Sequence, residues 1–211
     1  MPTKKRIQRE DILKAAVQVI RREGPSALTM RRIAAQVGCS TQPLYSEFGG
    51  QEQLLGVLCE YIRAQYLAAP CCTYRDFGRL FLQFAGQEKE LFCFLYLRKR
   101  APGQTLVEDA NFNATLHLLQ ETLEISHEQA AELHHRMQYY CYGLGTMIAT
   151  GYRTMSPEEI DRELAEFFCL LLEHYKHASD AQTLAYWLER SRNPMLSNEG
   201  GTYGNTQNKG L

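Results

Sequence analysis

Apolar residues recur at helical spacing along most of this 211-residue chain, and capping residues and helix breakers separate the runs. The first stripe ends at Gly24 and consists of Ile12, Ala16, Val19 and Ile20. Later stripes predict helices over residues 51–67, 74–85, 91–97, 106–123, 126–152, 156–177 and 180–190. Ser126 and Ser156 are suitable N-caps for the last two long helices. The pattern therefore predicts an all-α fold.

Residues 29–48 predict two short helices joined by a tight turn. Thr29 and Ser40 are residue types that cap helix N-termini, and Gly38 supplies the left-handed backbone that a sharp reversal needs. Pro43 falls in the opening turn of the second helix, where its missing N–H costs nothing. Helix, glycine-containing turn, helix is the DNA-reading motif whose second helix enters the major groove, although proteins that bind no DNA also contain such pairs.

The wider pattern of the first quarter of the chain resembles the TetR family of bacterial transcriptional regulators. The resemblance rests on the motif G-x-x-x-x-T-x-x-x-I-A-x-x-x-G-x-S-x-x-x-L-Y-x-x-F and the helix after it, that is, on Gly24, Thr29, Ile33, Ala34, Gly38, Ser40, Leu44, Tyr45, Phe48 and Leu54. It implies a three-helix helix-turn-helix DNA-binding domain over residues 1–50, a linking helix over 51–67 and a helical ligand-binding and dimerisation domain over 68–192. Residues 193–211 are rich in Asn, Gly, Ser and Thr and are expected to be disordered.

The net charge of –1 conceals an uneven distribution of charge along the chain, which favours DNA binding by the N-terminal domain. Residues 1–55 hold 9 Lys and Arg against 5 Asp and Glu, whereas the remainder holds 14 against 19. Positive charge is thus concentrated where the helix-turn-helix lies.

The candidate DNA-binding residues fall into three groups. Lys4, Lys5, Arg6 and Arg9 form a basic lead-in that could follow phosphates or reach the minor groove, although a solvated terminus explains it equally well. Thr29, Arg31 and Arg32 open the first helix of the motif, where N–H groups and the helix dipole favour a phosphate. The second helix contributes Ser40 at its start, Thr41 and Gln42 for base readout, and Tyr45, which the resemblance makes a phosphate contact.

Two positions depart from the family pattern. Glu47 replaces a histidine that many relatives carry before the aromatic residue ending the second helix, and Gln51 replaces a common lysine. Both changes remove phosphate partners. We therefore expect DNA binding to depend strongly on the N-terminal basic cluster.

The resemblance also implies an effector pocket and a dimer surface. From an aromatic-rich set that is mostly core, the candidate ligand-binding residues are Phe81, Phe112, Tyr139 and Tyr142. The last two long helices usually pair with those of a second subunit in this family, and an ordinary intrachain core is the alternative. The candidate interface residues are Gly143, Met147, Gly151, Leu164, Phe168 and Leu171.

Other chemistry finds little support in the sequence. Seven scattered cysteines suit reduced thiols, His134 and His135 are adjacent and cannot share a metal as an i, i+4 pair would, and no catalytic motif is present.

Neither a signal peptide nor a membrane span is visible, so we expect a soluble, cytoplasmic protein. The expected partners are a palindromic double-stranded operator, an unknown small-molecule effector and a second copy of the chain, without a metal, cofactor or membrane. The alternative is a helical enzyme or small-molecule carrier whose head does not bind DNA.

Overall fold

The computed structural model describes residues 7–68, 71–98 and 112–192, and these residues form helices and turns without a strand. The predicted all-α fold is confirmed. The helices are α1 (Arg9–Glu23), α2 (Met30–Val37), α3 (Gln42–Phe48), α4 (Gln51–Tyr66), α5 (Tyr74–Gln87), α6 (Lys89–Phe92), α7 (Phe112–Leu123), α8 (His127–Ala149), α9 (Pro157–Lys176) and α10 (Ala181–Arg192). A short 3₁₀ turn (Pro25–Ala27) precedes α2, and a π-helical turn (Cys93–Leu97) follows α6.

Helices α1, α2 and α3 form the N-terminal head. The apolar stripe of α1, including Ile12 and Ile20, is buried against Ile33 of α2 and Leu44 of α3 in one core. Between α2 and α3, Gly38 has φ 80° and ψ 37°, the left-handed conformation predicted for this turn. This conformation reverses the chain and brings α3 against the other two helices.

The two predicted caps of this motif have different outcomes. The Thr29 side chain accepts a hydrogen bond from the Arg32 backbone N–H at 3.2 Å, so the cap of α2 is confirmed. The Ser40 cap of α3 is wrong. Helix α3 begins at Gln42, its N-cap is Thr41 in a helical conformation, and no side chain caps it.

The body is built around α5, which packs mainly against α8 and α9. Helices α7 and α10 cover one another and the ends of α8 and α9. The predicted starts at Ser126 and Ser156 are confirmed, since each side chain accepts from the backbone N–H three residues later. Helix α8 ends at Ala149, three residues before the predicted end. None of the described helices combines the length and apolar character that a membrane-spanning segment needs.

The head and the body meet at the C-terminal end of α1. Arg21 donates to Glu88, with Nε 2.9 Å from Oε2 and Nη2 bonded to Oε1. The same Nη2 donates to the hydroxyl of Tyr66 at 2.6 Å. Three segments, α1, the end of α4 and the junction of α5 with α6, are therefore fastened at one guanidinium.

Several interface residues predicted from sequence are internal to the protomer. Leu164, Phe168 and Leu171 are 3%, 7% and 6% exposed and pack in the body core, so they are not available to a second subunit. Gly151 lies beyond the end of α8 with φ 77°, in the turn that stops the helix, rather than on a helix face. Of the six candidates, Gly143 and Met147 keep surface on α8.

Candidate functional site

Helix α3 turns a polar face away from the core. Leu44 is fully buried and Phe48 is 7% exposed, which fixes the rotation of this short helix. Gln42 is exposed at its N-terminus, and Tyr45 is 51% exposed one turn later. An amide, whose donor and acceptor can together pair with adenine, and a phenol therefore project on the outer side of the motif.

The start of α2 presents a second polar group of side chains beside the turn. The Thr29 oxygen is used by the cap, but the hydroxyl keeps its own proton for donation. Arg32 pairs with Glu23 of α1, its Nε lying 2.9 Å from Oε2. Arg31 is exposed and forms no ion pair with a described residue. Arg31 is consequently better placed than Arg32 to meet a phosphate.

The two departures from the family pattern have local partners in the head. Glu47 lies 3.6 Å from Nη1 of Arg9, whose guanidinium also lies over the Phe48 ring at 5.2 Å from the centroid. The Gln51 side chain donates to the Leu28 carbonyl at 3.2 Å, which ties the start of α4 to the segment before α2. Glu47 is thus partly compensated by a cation. The other residues of the basic lead-in, Lys4, Lys5 and Arg6, lie outside the described residues.

A cavity of about 120 Å³ lies in the body, between α5, α8 and α9. Most of its wall is apolar or aromatic and includes Phe77, Phe81, Tyr96, Met137, Tyr142 and Leu164. Helix α4, which leads from the head to the body, contributes Arg63 to the cavity wall. The cavity therefore has the mixed lining of a small-molecule site.

The polar groups of the wall include a buried pair and a buried thiol. Tyr74 and His134 are buried, and the phenol oxygen lies 3.2 Å from Nδ1 of the imidazole. Cys141 is also buried, and burial raises the pKa of its thiol to about 12, so the thiol is neutral and a poor nucleophile. The wall is therefore suited to binding rather than to thiol chemistry.

The four predicted ligand residues divide into two pairs. Phe81 and Tyr142 lie in the cavity wall. Phe112 is outside it, with its ring 5.5 Å from His134 and 5.9 Å from His135. Tyr139 is 67% exposed on the outer side of α8, because it is displaced from the wall-lining residues Gln138 and Cys141 around the helix. The assignment of Phe112 and Tyr139 to the cavity is therefore corrected.

Sequence reasoning missed the charged and polar part of the wall. Arg63, Arg75 and His134 line the cavity but were not among the candidates. Arg63 follows Ile62 in a sequence that is equally typical of a helix whose charged side chains face solvent. The sequence therefore does not indicate that Arg63 is buried. Phe77 and Tyr96 had a signal, since both belong to the aromatic-rich set of the body.

A continuous set of ring contacts leads from the cavity to the head. Phe81 in the wall meets Phe92 at 5.3 Å between ring centroids, Phe92 meets Phe84 at 6.3 Å, and Phe84 meets Tyr66 at 5.7 Å. The Tyr66 hydroxyl then accepts from Arg21 of α1. A displacement of the cavity wall at Phe81 can therefore be transmitted to the head through an unbroken series of direct contacts.

Comparison with known proteins agrees with the geometry of the head. Residues 12–58, which span α1 to the middle of α4, match the family described as bacterial regulatory proteins, tetR family. A comparison with curated proteins gives no match. The matched segment contains the whole helix-turn-helix and the outward face of α3, so the head is that of a DNA-binding transcriptional regulator. The N-terminal head of this chain, over residues 12–58, therefore matches the DNA-binding domain of bacterial regulatory proteins of the tetR family.

Proposed function

We propose that the protein is a ligand-responsive repressor that binds a palindromic operator as a homodimer. The observation that carries the proposal is the pairing of a helix-turn-helix head with a separate body cavity, joined by the contacts from Phe81 to Arg21. A concave, mostly apolar cavity with a few polar groups is the kind of site in which a small-molecule effector binds.

In this proposal α3 enters the major groove and the start of α2 meets the backbone. Gln42 reads a base edge, since its amide can pair with N6 and N7 of adenine, and Thr41 contacts a neighbouring base. Arg31, Thr29 and Tyr45 hold phosphates and set the register. Each head contacts one half-site, and two-fold symmetry makes the operator a palindrome.

Operator binding by variants separates the two roles. Gln42→Ala should weaken binding to the preferred operator by about tenfold or more and relax the preference at one base pair of each half-site. Arg31→Met should weaken binding to all sequences alike. It should also lower the slope of log K against log salt by about two in a dimer, one for each head. Arg162→Met, which removes an exposed cation on α9, is the control and should leave the slope unchanged.

Loss of base preference in neither Gln42→Ala nor Thr41→Ala would overturn the assignment of base readout to α3. A slope unchanged by Arg31→Met would remove that side chain from the phosphate contacts. Both measurements use fluorescence anisotropy of a labelled duplex over a series of salt concentrations.

The dimer surface proposed here is the outer side of the α8–α9 pair. The rings of Tyr140 and Phe167 stack across the seam between these helices at 4.1 Å. Three residues further along each helix lie Gly143, where an added Cβ would meet nothing within 4 Å, and Leu170, which is 59% exposed. The two helices run antiparallel, since Tyr140 contacts Phe167 while Arg136 contacts Tyr175, so Gly143 and Leu170 lie on opposite sides of the stacked rings. A large exposed apolar side chain and a gap in the same surface favour close approach of a second copy.

Gly143→Gln tests this surface without disturbing the protomer. Glutamine is a better helix former than glycine and meets open space within the chain, so the fold should be retained or stabilised. The added side chain should block the partner and raise the dimer dissociation constant at least about tenfold, measured by analytical ultracentrifugation. The control is Gly56→Ala on α4, which also meets open space. An unchanged dimer in Gly143→Gln would place the interface elsewhere.

A further inference from the structure

The body cavity is lined by cations and lacks an acid among its described lining residues. Arg63, Arg75 and Arg192 contribute guanidinium groups, and none of the described lining residues is Asp or Glu. The Gln138 amide also lines the cavity and carries no charge. An electrostatic field of one sign inside a largely apolar wall selects the charge of its occupant.

Arg63 is the most deeply placed of these cations. It is 6% exposed on α4, and its Nη1 donates to Oε1 of Glu60 at 2.6 Å. The Glu60 side chain is 72% exposed, so this carboxylate lies at the protein surface and its attraction is weakened by water. The contact with Glu60 uses one of the five N–H donors of the Arg63 guanidinium. A buried cation of this kind gains free energy from a second anion on the cavity side.

Arg75 gives an independent indication of the same chemistry. Its Nε is buried and has no hydrogen-bond partner among the described residues. The nearby carboxylate of Asp161 feels the charge of Arg75, but its two oxygens are bonded to Nε and Nη2 of Arg79, at 2.8 and 2.6 Å. The acid that could have satisfied Arg75 is thus engaged by another arginine.

We infer that the effector is an organic anion with an aromatic or apolar body, whose carboxylate, sulfonate or phosphate group pairs with Arg63 and Arg75. The inference rests on the proposed ligand-responsive function and names the chemical class of its ligand. The apolar part lies against Phe77, Phe81 and Leu164. Because Arg63 is on α4, three residues before Tyr66, the anion acts directly on the helix that is fastened to Arg21 of the head.

Two fluorescent probes of matched shape test the charge. Anilinonaphthalene sulfonate and N-phenylnaphthylamine share their ring systems and differ by one sulfonate group. Each is titrated against the full-length protein at fixed ionic strength, and the ratio of the two affinities is compared between variants. This ratio cancels the contribution of the shared rings and isolates the charged group.

Arg63→Met should lower the affinity for the sulfonate by about tenfold or more while changing the affinity for the neutral amine by less than about twofold. Arg63→Lys, which keeps the charge but loses the planar fork, should retain an intermediate preference. Arg75→Met should act in the same direction as Arg63→Met. Arg162→Met on the surface of α9 is the matched control and should leave both affinities unchanged. Circular dichroism of each variant establishes that it is folded.

A ratio that changes by less than about twofold in both Arg63→Met and Arg75→Met overturns the inference. In that case, competition between the two probes and loss of binding in Phe81→Ala show whether both still bind the cavity. If they do, the ligand-responsive proposal survives with an uncharged effector. Binding of neither probe overturns both, whereas operator binding measured without probe still tests DNA recognition separately.

Discussion

The ion pair between Arg21 and Glu88 should contribute measurably to stability, because it is bidentate and shielded. Its two side chains are 33% and 20% exposed, and the same guanidinium donates to Tyr66. The contact with Glu88 raises the pKa of Arg21, which shows that the charged form is favoured in the fold. A bidentate, charge-assisted pair at this depth should have a coupling free energy of about 1–2 kcal/mol, above the value typical of fully exposed pairs.

A double-mutant cycle measures this coupling. Arg21→Met, Glu88→Gln and the double variant are unfolded in urea at one protein concentration, and circular dichroism and the fluorescence of Trp187 are recorded together. The single tryptophan lies on α10 in the body, so a transition seen earlier by circular dichroism would report separate unfolding of the head. We expect each single substitution to destabilise the protein, and the double variant to be more stable than the sum of the two predicts.

Arg9 and Glu47 provide the matched control. Their side chains are 53% and 42% exposed, and the pair has one contact of 3.6 Å. The corresponding cycle, Arg9→Met with Glu47→Gln, should give a coupling within about 0.5 kcal/mol of zero. If the coupling of Arg21 with Glu88 is no larger than that of this control, the pair does not fasten the head to the body, and the reasoning about this junction is refuted.

Two further predictions concern packing and pH. Gly145→Ala should destabilise the fold by about 1–3 kcal/mol in thermal or urea unfolding, because its Cβ would lie 2.9 Å from the buried Phe92 ring, whereas Gly56→Ala in open space should stabilise by up to about 1 kcal/mol. Contact with Arg79 lowers the pKa of Asp161, so this pair stabilises the fold above about pH 4 and loses that contribution as the pH falls through the lowered folded-state value. The difference in unfolding free energy between wild type and Asp161→Asn should therefore shrink on acidification, and a pH-independent difference would contradict this assignment.

Local chemistry was sufficient to predict most of the helices. Thr29, Ser126 and Ser156 cap helices as expected, because a cap depends on the few residues that follow it. Gly38 likewise fixes its turn through its own φ angle. Ser40 failed because the neighbouring Thr41 is the N-cap, and a shift of one residue is decided by how the turn packs rather than by residue type.

Long-range packing decided what the sequence left undetermined. A buried stripe on a helix looks the same whether it meets its own chain or a partner, so the sequence pattern does not reveal that Leu164, Phe168 and Leu171 are internal to the protomer. Arg63 is the converse case, since only the tertiary structure reveals a charged side chain in the cavity wall. The outward face of α3, which we propose to read DNA, was more predictable, because burial of Leu44 and Phe48 leaves one outward side for a short helix.

Selection of bound duplexes from a random pool by the purified full-length protein tests the central claim most directly. We expect enrichment of a palindrome whose two half-sites are centred about one helical turn apart, and loss of preference at one position of each half-site in Gln42→Ala. Failure to enrich any sequence, even at low salt where phosphate contacts are strongest, would contradict operator recognition by α3.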